Sequence, residues 1–289
     1  MTVTEAVSRA RGGDRAAFDV LVGPELPKLR ALLRRMLASP DHVDDVLQDA
    51  LVKAWGAIEG FRGDAAVGTW LHAIAARAAL DFLRTKKRYR AGALLFAQDA
   101  CVTDGGMVDV LAAVAQPDFH FDVREHVRYC FACVGRSLEP EEQAALVLRD
   151  VYEYSNEEAA KSLGLDLGTL RHRLASARET MMRRYDRLCS LVSKEGVCYQ
   201  CEGLRQAAPA DRQGDEPRGA LPGAASTRDE RWKRRLEVLR DPRADGERTR
   251  AMHDVLARQL DALESTRPDA DDVEDIPTPG SNCAPTGEA

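Results

Sequence analysis

Long apolar runs are missing from this chain. No uninterrupted stretch approaches the roughly 18 residues that a membrane-crossing helix needs. The first residues hold no apolar core of signal-peptide length either. Both absences point to a cytoplasmic protein that does not engage a membrane. Residues 1 to 90 contain no convincing strand pattern. No glycine-rich phosphate loop occurs, and no Glu stands beside the histidines and cysteines in the His-x-Glu manner of zinc deaminases, so the chain is not expected to be an enzyme. An excess of positive charge is lacking as well: 41 Lys and Arg face 47 Asp and Glu, a net charge of −6. That balance argues against a uniformly basic nucleic-acid binder, but the charges are unevenly spread. Arg84 to Arg90 has five basic residues in seven, while Arg267 to Ala289 has six carboxylates against one Arg. An acidic tail of this kind masks basic patches further in.

Within 289 residues there is room for two domains, and the stretch Ser155 to Arg178 organises them. Ser155 is a good N-cap, and Glu157 and Glu158 follow in the first turn, where the helix dipole favours negative charge. Gly164 falls where a helix end needs a residue with positive φ. Asp166 can cap a second helix, whose Leu167, Leu170, Leu174 and Ala177 form one apolar stripe. Its other face carries Thr169, Arg171, His172, Arg173, Ser176 and Arg178. Two short helices at a tight Gly turn, the second one basic outside, make a helix-turn-helix whose second helix can enter a DNA major groove.

The first 90 residues read as four helices. Glu5 to Val22 is broken at Gly12 and Gly13, and Leu26 to Leu37 follows. Asp41 to Gly56 buries Val43, Val46, Leu47, Ala50, Leu51 and Ala54, with Asp44, Asp45, Gln48 and Asp49 opposite. Phe61 to Gly68 is a loop, and Thr69 is placed to cap a fourth helix that carries Leu71, Ile74, Ala75, Ala78, Leu80 and Leu83.

These residues carry a resemblance. Asp44-Asp45-Val46-Leu47-Gln48-Asp49-Ala50, Ala54-Trp55, Phe61-Arg62-Gly63-Asp64, Thr69-Trp70-Leu71-x-x-Ile74-Ala75 and Asp81-x-x-Arg84 follow the order of region 2 of bacterial RNA polymerase sigma factors. Leu138-x-Pro140-x-x-Gln143, Glu157-x-Ala159-Ala160, Leu163-Gly164 and Gly168-Thr169-Leu170-x-x-Arg173-Leu174-x-x-Ala177-Arg178 resemble region 4. Together they resemble the extracytoplasmic-function (group 4) class of the sigma-70 family. The resemblance implies an all-α fold and a role in bringing polymerase core to promoters and helping to melt them. It implies that Asp44, Asp45 and Gln48 face the polymerase clamp helices. The loop from Phe61 would capture an unstacked base of the −10 element, with Phe61, Arg62, Asp64, Trp70, Arg77, Arg84, Lys86, Lys87 and Arg88 as its candidate DNA contacts. Trp70, at a helix start, reads as core more readily than as a stacking platform. Thr169, Arg171, His172, Arg173, Ser176 and Arg178 would meet the −35 element. The sequence departs from the family pattern at Arg77, where Asn is usual, and at Val67-Gly68, where an aromatic often stands. The implied partners are polymerase core and promoter DNA, with an anti-sigma factor as a third candidate. The competing reading is a stand-alone helix-turn-helix regulator, which has no use for a clamp-binding helix.

Seven cysteines in a reducing compartment suggest metal binding or redox sensing rather than a disulfide frame. His126, Cys130 and Cys133 lie at i, i+4 and i+7 within an expected helix from Phe121 to Val134, all on one face. The pattern locally resembles the ligand set of zinc-containing anti-sigma factors. Cys198 and Cys201 are the obvious source of a fourth zinc ligand, with Cys189 as another. Redox-active thiols and inert buried thiols are the alternatives, and promoter recognition by itself calls for no cofactor.

The expected organisation is therefore region 2 over 1–90, a linker with the His-Cys-Cys helix over 91–137 and region 4 over 138–192. A helical C-terminal extension over 193–265 follows, then an acidic disordered tail over 266–289. The extension contains two amphipathic helices, Asp229 to Arg240 and Glu247 to Glu264, too short to be stable unless they pack on something. Regulation in cis is the role expected of them.

Overall fold

The computed structural model describes residues 1–63, 65–95, 106–191, 196, 198, 200–217 and 227–267. Among these residues every named element is helical, and the only bridging backbone pair is Cys189 with Cys198. The chain divides into two compact units, one of Met1–Lys86 with Pro140–Leu174, the other of Lys87–Glu139 with Ala175–Ala289.

In the first unit, α1 (Val3–Arg11) is capped by Thr2 and ends at Gly12, and Gly13 takes φ 87°. Asp14 then caps α2 (Arg15–Val22), accepting from the Ala17 N–H at 3.1 Å, so the glycine pair splits one amphipathic run into two helices. Next come α3 (Leu26–Met36), α4 (Pro40–Ala57) and α5 (Val67–Thr85). α4 buries Val43, Val46, Leu47, Ala50 and Ala54, and α5 buries Leu71, Ala75, Ala78, Leu80 and Leu83. α5 begins at Val67, two residues before Thr69, and has no side-chain cap, so Thr69 lies inside the helix and is not its N-cap. A Cβ built at Gly68 would lie 2.8 Å from the Glu25 carboxylate, the end of a side chain that can move aside.

The chain re-enters this unit through α8 (Pro140–Leu146), a π-turn at Val147–Val151 and α9 (Asn156–Leu163). Ser155 and Glu158 form a reciprocal capping box, with bonds of 3.1 and 2.8 Å. Gly164 ends α9 in the left-handed conformation at φ 69°, which an L side chain rarely adopts. α10 (Leu167–Leu188) follows. Asp166 accepts from the Thr169 N–H at 2.9 Å and from its hydroxyl at 2.6 Å, and these bonds hold the Asp166 carboxyl below its usual range. Leu170, Leu174, Ala177, Met181 and Tyr185 are buried along one stripe, each large member contributing about 1.5–3 kcal/mol. Leu167, expected in that stripe as the first residue of the helix, is instead 37 % exposed.

The second unit is built round α7 (Val123–Gly135), the helix expected between Phe121 and Val134. A further helix, α6 (Gly106–Val114), precedes it in a stretch that reads as loop. The extension supplies α11 (Gln200–Ala207), α12 (Arg228–Arg240) and α13 (Arg250–Thr266). α12 packs on α7, and α13 packs on α6. The buried Glu125 of α7 accepts from the Thr249 N–H at 2.9 Å, and Arg128 donates to the Ala244 carbonyl at 2.8 Å. The two amphipathic helices of the extension thus bury their stripes within the chain.

Candidate nucleic-acid interface

α10 presents its polar face as the spacing requires. Leu170 and Leu174 are buried inward, while Arg171 and His172 are exposed. Arg173, Ser176, Arg178 and Thr169 are half-buried along the edges. Thr169 is spent on the Asp166 cap, which fixes the first turn rather than leaving its hydroxyl free. A helix of this kind offers guanidinium and imidazole donors to base edges and phosphates.

α4 carries a second exposed face. Asp45, Gln48 and Asp49 are exposed, and Val52 beside them is 65 % exposed. Positions 45, 48, 49 and 52 lie on one side of a helix. Asp44, at its edge, is paired with Arg30 of α3. Val52 was not singled out from the sequence, though its place outside the buried stripe of α4 makes it legible there.

The expected −10 residues divide into two groups. Phe61 is buried and packs against the half-buried Trp70, with ring centroids 5.1 Å apart. Arg62 is exposed beside Gly63, whose φ is 79°, and Asp64 lies outside the described residues. Four of the basic members, Arg77, Arg84, Lys87 and Arg88, are engaged by other parts of the chain. Arg77 Nε donates to the Ser162 carbonyl and its Nη2 to the Lys161 carbonyl, both at 2.7 Å. Arg84 pairs with Glu141 at 2.8 Å. Lys86 lies 4.9 Å over the Phe82 ring. In the second unit Lys87 donates to the Arg267 carbonyl, and Arg88 pairs with Glu139 at 2.9 Å.

Two carboxylates on α13 complete that set. Arg90 Nε meets the buried Glu264 at 2.7 Å, and the Tyr89 hydroxyl donates to Asp261. Glu264 continues the Met252, Leu256, Leu260 series at spacings of four. A carboxylate on an apolar stripe was the available signal.

The cysteines and His126 lie in the second unit. His126 is fully buried, with Nδ1 3.2 Å from His253 Nε2, and burial, then the Arg128 charge, lowers its pKa to about 4. Cys133 lies on the buried side of α7 beside Tyr129. Cys130 neighbours Cys189, and Cys198 and Cys201 flank the start of α11. Among the described residues no three metal-binding side chains are gathered in coordinating geometry.

Comparison with known proteins now adds to the geometry. A family model described as Sigma-70 region 2 matches residues 21–89, and one described as Sigma-70, region 4 matches 130–181. The ECF RNA polymerase sigma-E factor of Haemophilus influenzae is 32 % identical over 179 residues, covering 62 % of this chain and 93 % of the relative. Its counterpart in Escherichia coli K12 is 33 % identical over 175 residues, covering 61 % and 90 %. Among solved structures, the sigma factor RpoE in complex with the anti-sigma factor NepR from Bartonella quintana matches at 20 % identity, with a TM-score of 0.39, over 58 % of this chain and 95 % of that one.

Proposed function

This chain belongs to the extracytoplasmic-function class of RNA polymerase sigma factors, and from that membership we infer how its surfaces divide the work. As a sigma factor it joins polymerase core and directs it to promoters. We assign Asp45, Gln48 and the adjoining Asp44 to the core-binding face of α4. Arg171, His172, Arg173, Ser176 and Arg178 take the −35 element, and Arg62 with the Phe61–Trp70 ring pair takes the −10 element. The carrying observation is that α4 and α10 each bury one apolar stripe and turn a polar stripe outward. Bond-making belongs to the polymerase: the chain performs no catalysis and needs no cofactor to recognise a promoter. It works in the cytoplasm, where its polymerase is.

Arg77 and Arg84, candidate phosphate contacts, are bonded to α9 and α8 of the same unit. Lys87 and Arg90 are bonded to the extension. Lys87, whose ammonium is held by the C-terminal segment, is then less available to a phosphate, and on that ground we infer that the extension restrains promoter binding in cis. Transcription from a promoter library with purified core polymerase tests both readings. Initiation should depend on the chain, and Glu264→Gln should raise it. A chain that never associates with core, as wild type or as that variant, overturns the assignment.

A further inference from the structure

Region 2 and the first part of region 4, residues 140–174, lie within one compact unit. Three polar contacts cross the seam between them. Gln143 of α8 is 1 % exposed and donates to the Met36 carbonyl at the end of α3, at 2.8 Å. Arg77 of α5 donates to the Lys161 and Ser162 carbonyls at the end of α9. Arg84, a turn or two further along α5, pairs with Glu141 of α8 at 2.8 Å. Arg77 stands where the region 2 pattern has Asn, whose shorter side chain would not reach both carbonyls.

These bonds hold the two promoter faces close together. Trp70 and Arg77 are both on α5, separated by about 10 Å along the helix axis. From Ser162 to Arg171 the chain can extend at most about 32 Å. With the length of the Arg77 side chain added, Trp70 and Arg171 stand no more than about 50 Å apart. Elements at −10 and −35 are about 25 base pairs apart, which is about 85 Å along a straight duplex. Taking off a quarter for the width of the elements still leaves about 60 Å. With its seam closed, the unit can engage either element but not both.

We propose that this seam is an autoinhibitory latch, in which Arg77 and Gln143 hold region 4 against region 2 in the free chain and must let go before both promoter elements are bound. The proposal rests on the −10 and −35 faces assigned above. Its contacts suit a latch. Interfaces between domains of one chain resemble transient ones, and relative motion across them is the default. The Arg84–Glu141 pair is partly exposed, and water can replace each partner for the other. The carbonyls at the end of α9 lack partners within the helix, and water can take them once Arg77 leaves. Only one backbone crossing, after α5, joins region 2 to the residues that follow. A ligand shifts such an equilibrium by its differential affinity, and DNA carrying both elements supplies it, because only the open form touches both.

Resonance energy transfer between dyes attached through azide-bearing residues at positions 20 and 157 reads the seam in the full-length chain. Val20 and Glu157 are exposed and lie outside the assigned core and promoter faces. The free chain should show high transfer, and its complex with core polymerase and a duplex carrying both elements should show low transfer. Arg77→Ala combined with Gln143→Ala should lower transfer in the free chain and speed formation of the promoter complex by roughly 10-fold. Association with core should be unchanged in that variant. A free wild-type chain that already shows the low transfer of the complex overturns the latch, even if the double variant misfolds. So does a folded double variant whose transfer and rate match wild type. A chain that never joins core overturns the sigma surfaces themselves, a failure that the transfer of the free chain keeps distinct.

Discussion

Arg77 of α5 caps the last turn of α9 with two bonds, from Nε to the Ser162 carbonyl and from Nη2 to the Lys161 carbonyl, each 2.7 Å long. Carbonyls at a helix C-terminus lack partners within the helix and carry the negative end of its dipole, so a guanidinium suits them. Arg77 is also where the sequence departs from the region 2 pattern. Its side chain joins the region 2 helices to the first helix of the helix-turn-helix.

Arg77→Ala should therefore loosen α9 from α5. Two bonds from a charged donor, partly exposed, are together worth about 1–3 kcal/mol. Urea unfolding should show a lower midpoint, and amide exchange over 156–163 should quicken. Promoter affinity should not fall. A fall in affinity at unchanged stability would make Arg77 a DNA contact instead.

Glu264→Gln removes the counter-charge of Arg90 at a buried position. Breaking such a pair should destabilise the docking of α13 by about 2–4 kcal/mol. Faster exchange over 250–266, with tighter promoter binding, is the expected pair of results. Destabilisation with unchanged binding would leave α13 a structural role only.

Arg171 is exposed on α10 and carries no structural burden, so Arg171→Ala should leave stability within about 0.5 kcal/mol of wild type. Promoter affinity should drop. If Arg171 meets a phosphate, the slope of log affinity against log salt should shrink by about one. If it meets a base, discrimination at one −35 position should relax and the slope should hold.

Acid should weaken the second unit through His126. Its pKa falls from 6.5 in the unfolded chain to about 4 in the folded one, because burial and then Arg128 disfavour the imidazolium. The unfolded state thus binds the proton first. Stability is full above pH 6.5 and declines as pH falls towards 4, by about 3 kcal/mol in all. His126→Phe should flatten that part of the pH profile of urea unfolding. An unchanged slope would assign the acid sensitivity to another group.

The helices were legible because their causes are local. Ser155 with Glu158, Gly164 and Asp166 are a cap, a stop and a cap, each acting within one turn, and each is found where its chemistry puts it. The buried stripe of α4 follows in the same way from the 3.6-residue period. The start of α5 was less legible. Thr69 is a competent cap, but the helix begins two residues earlier, at Val67, with no side-chain cap, and no local rule encodes that start.

By itself, then, the sequence determined that the chain is helical, where its two polymerase and promoter blocks lie, and which faces of α4 and α10 turn outward. Those properties depend on residues a few positions apart. Which charges find each other was decided only by the tertiary structure. Arg77 reaches α9 across 85 residues of chain, Arg90 reaches Glu264 across 174, and His126 reaches His253 across 127. A guanidinium or an imidazole carries no mark of its partner, because phosphate, carboxylate and helix-end carbonyl all satisfy the same donor. Packing chooses among them, by bringing one acceptor within reach and burying both away from water.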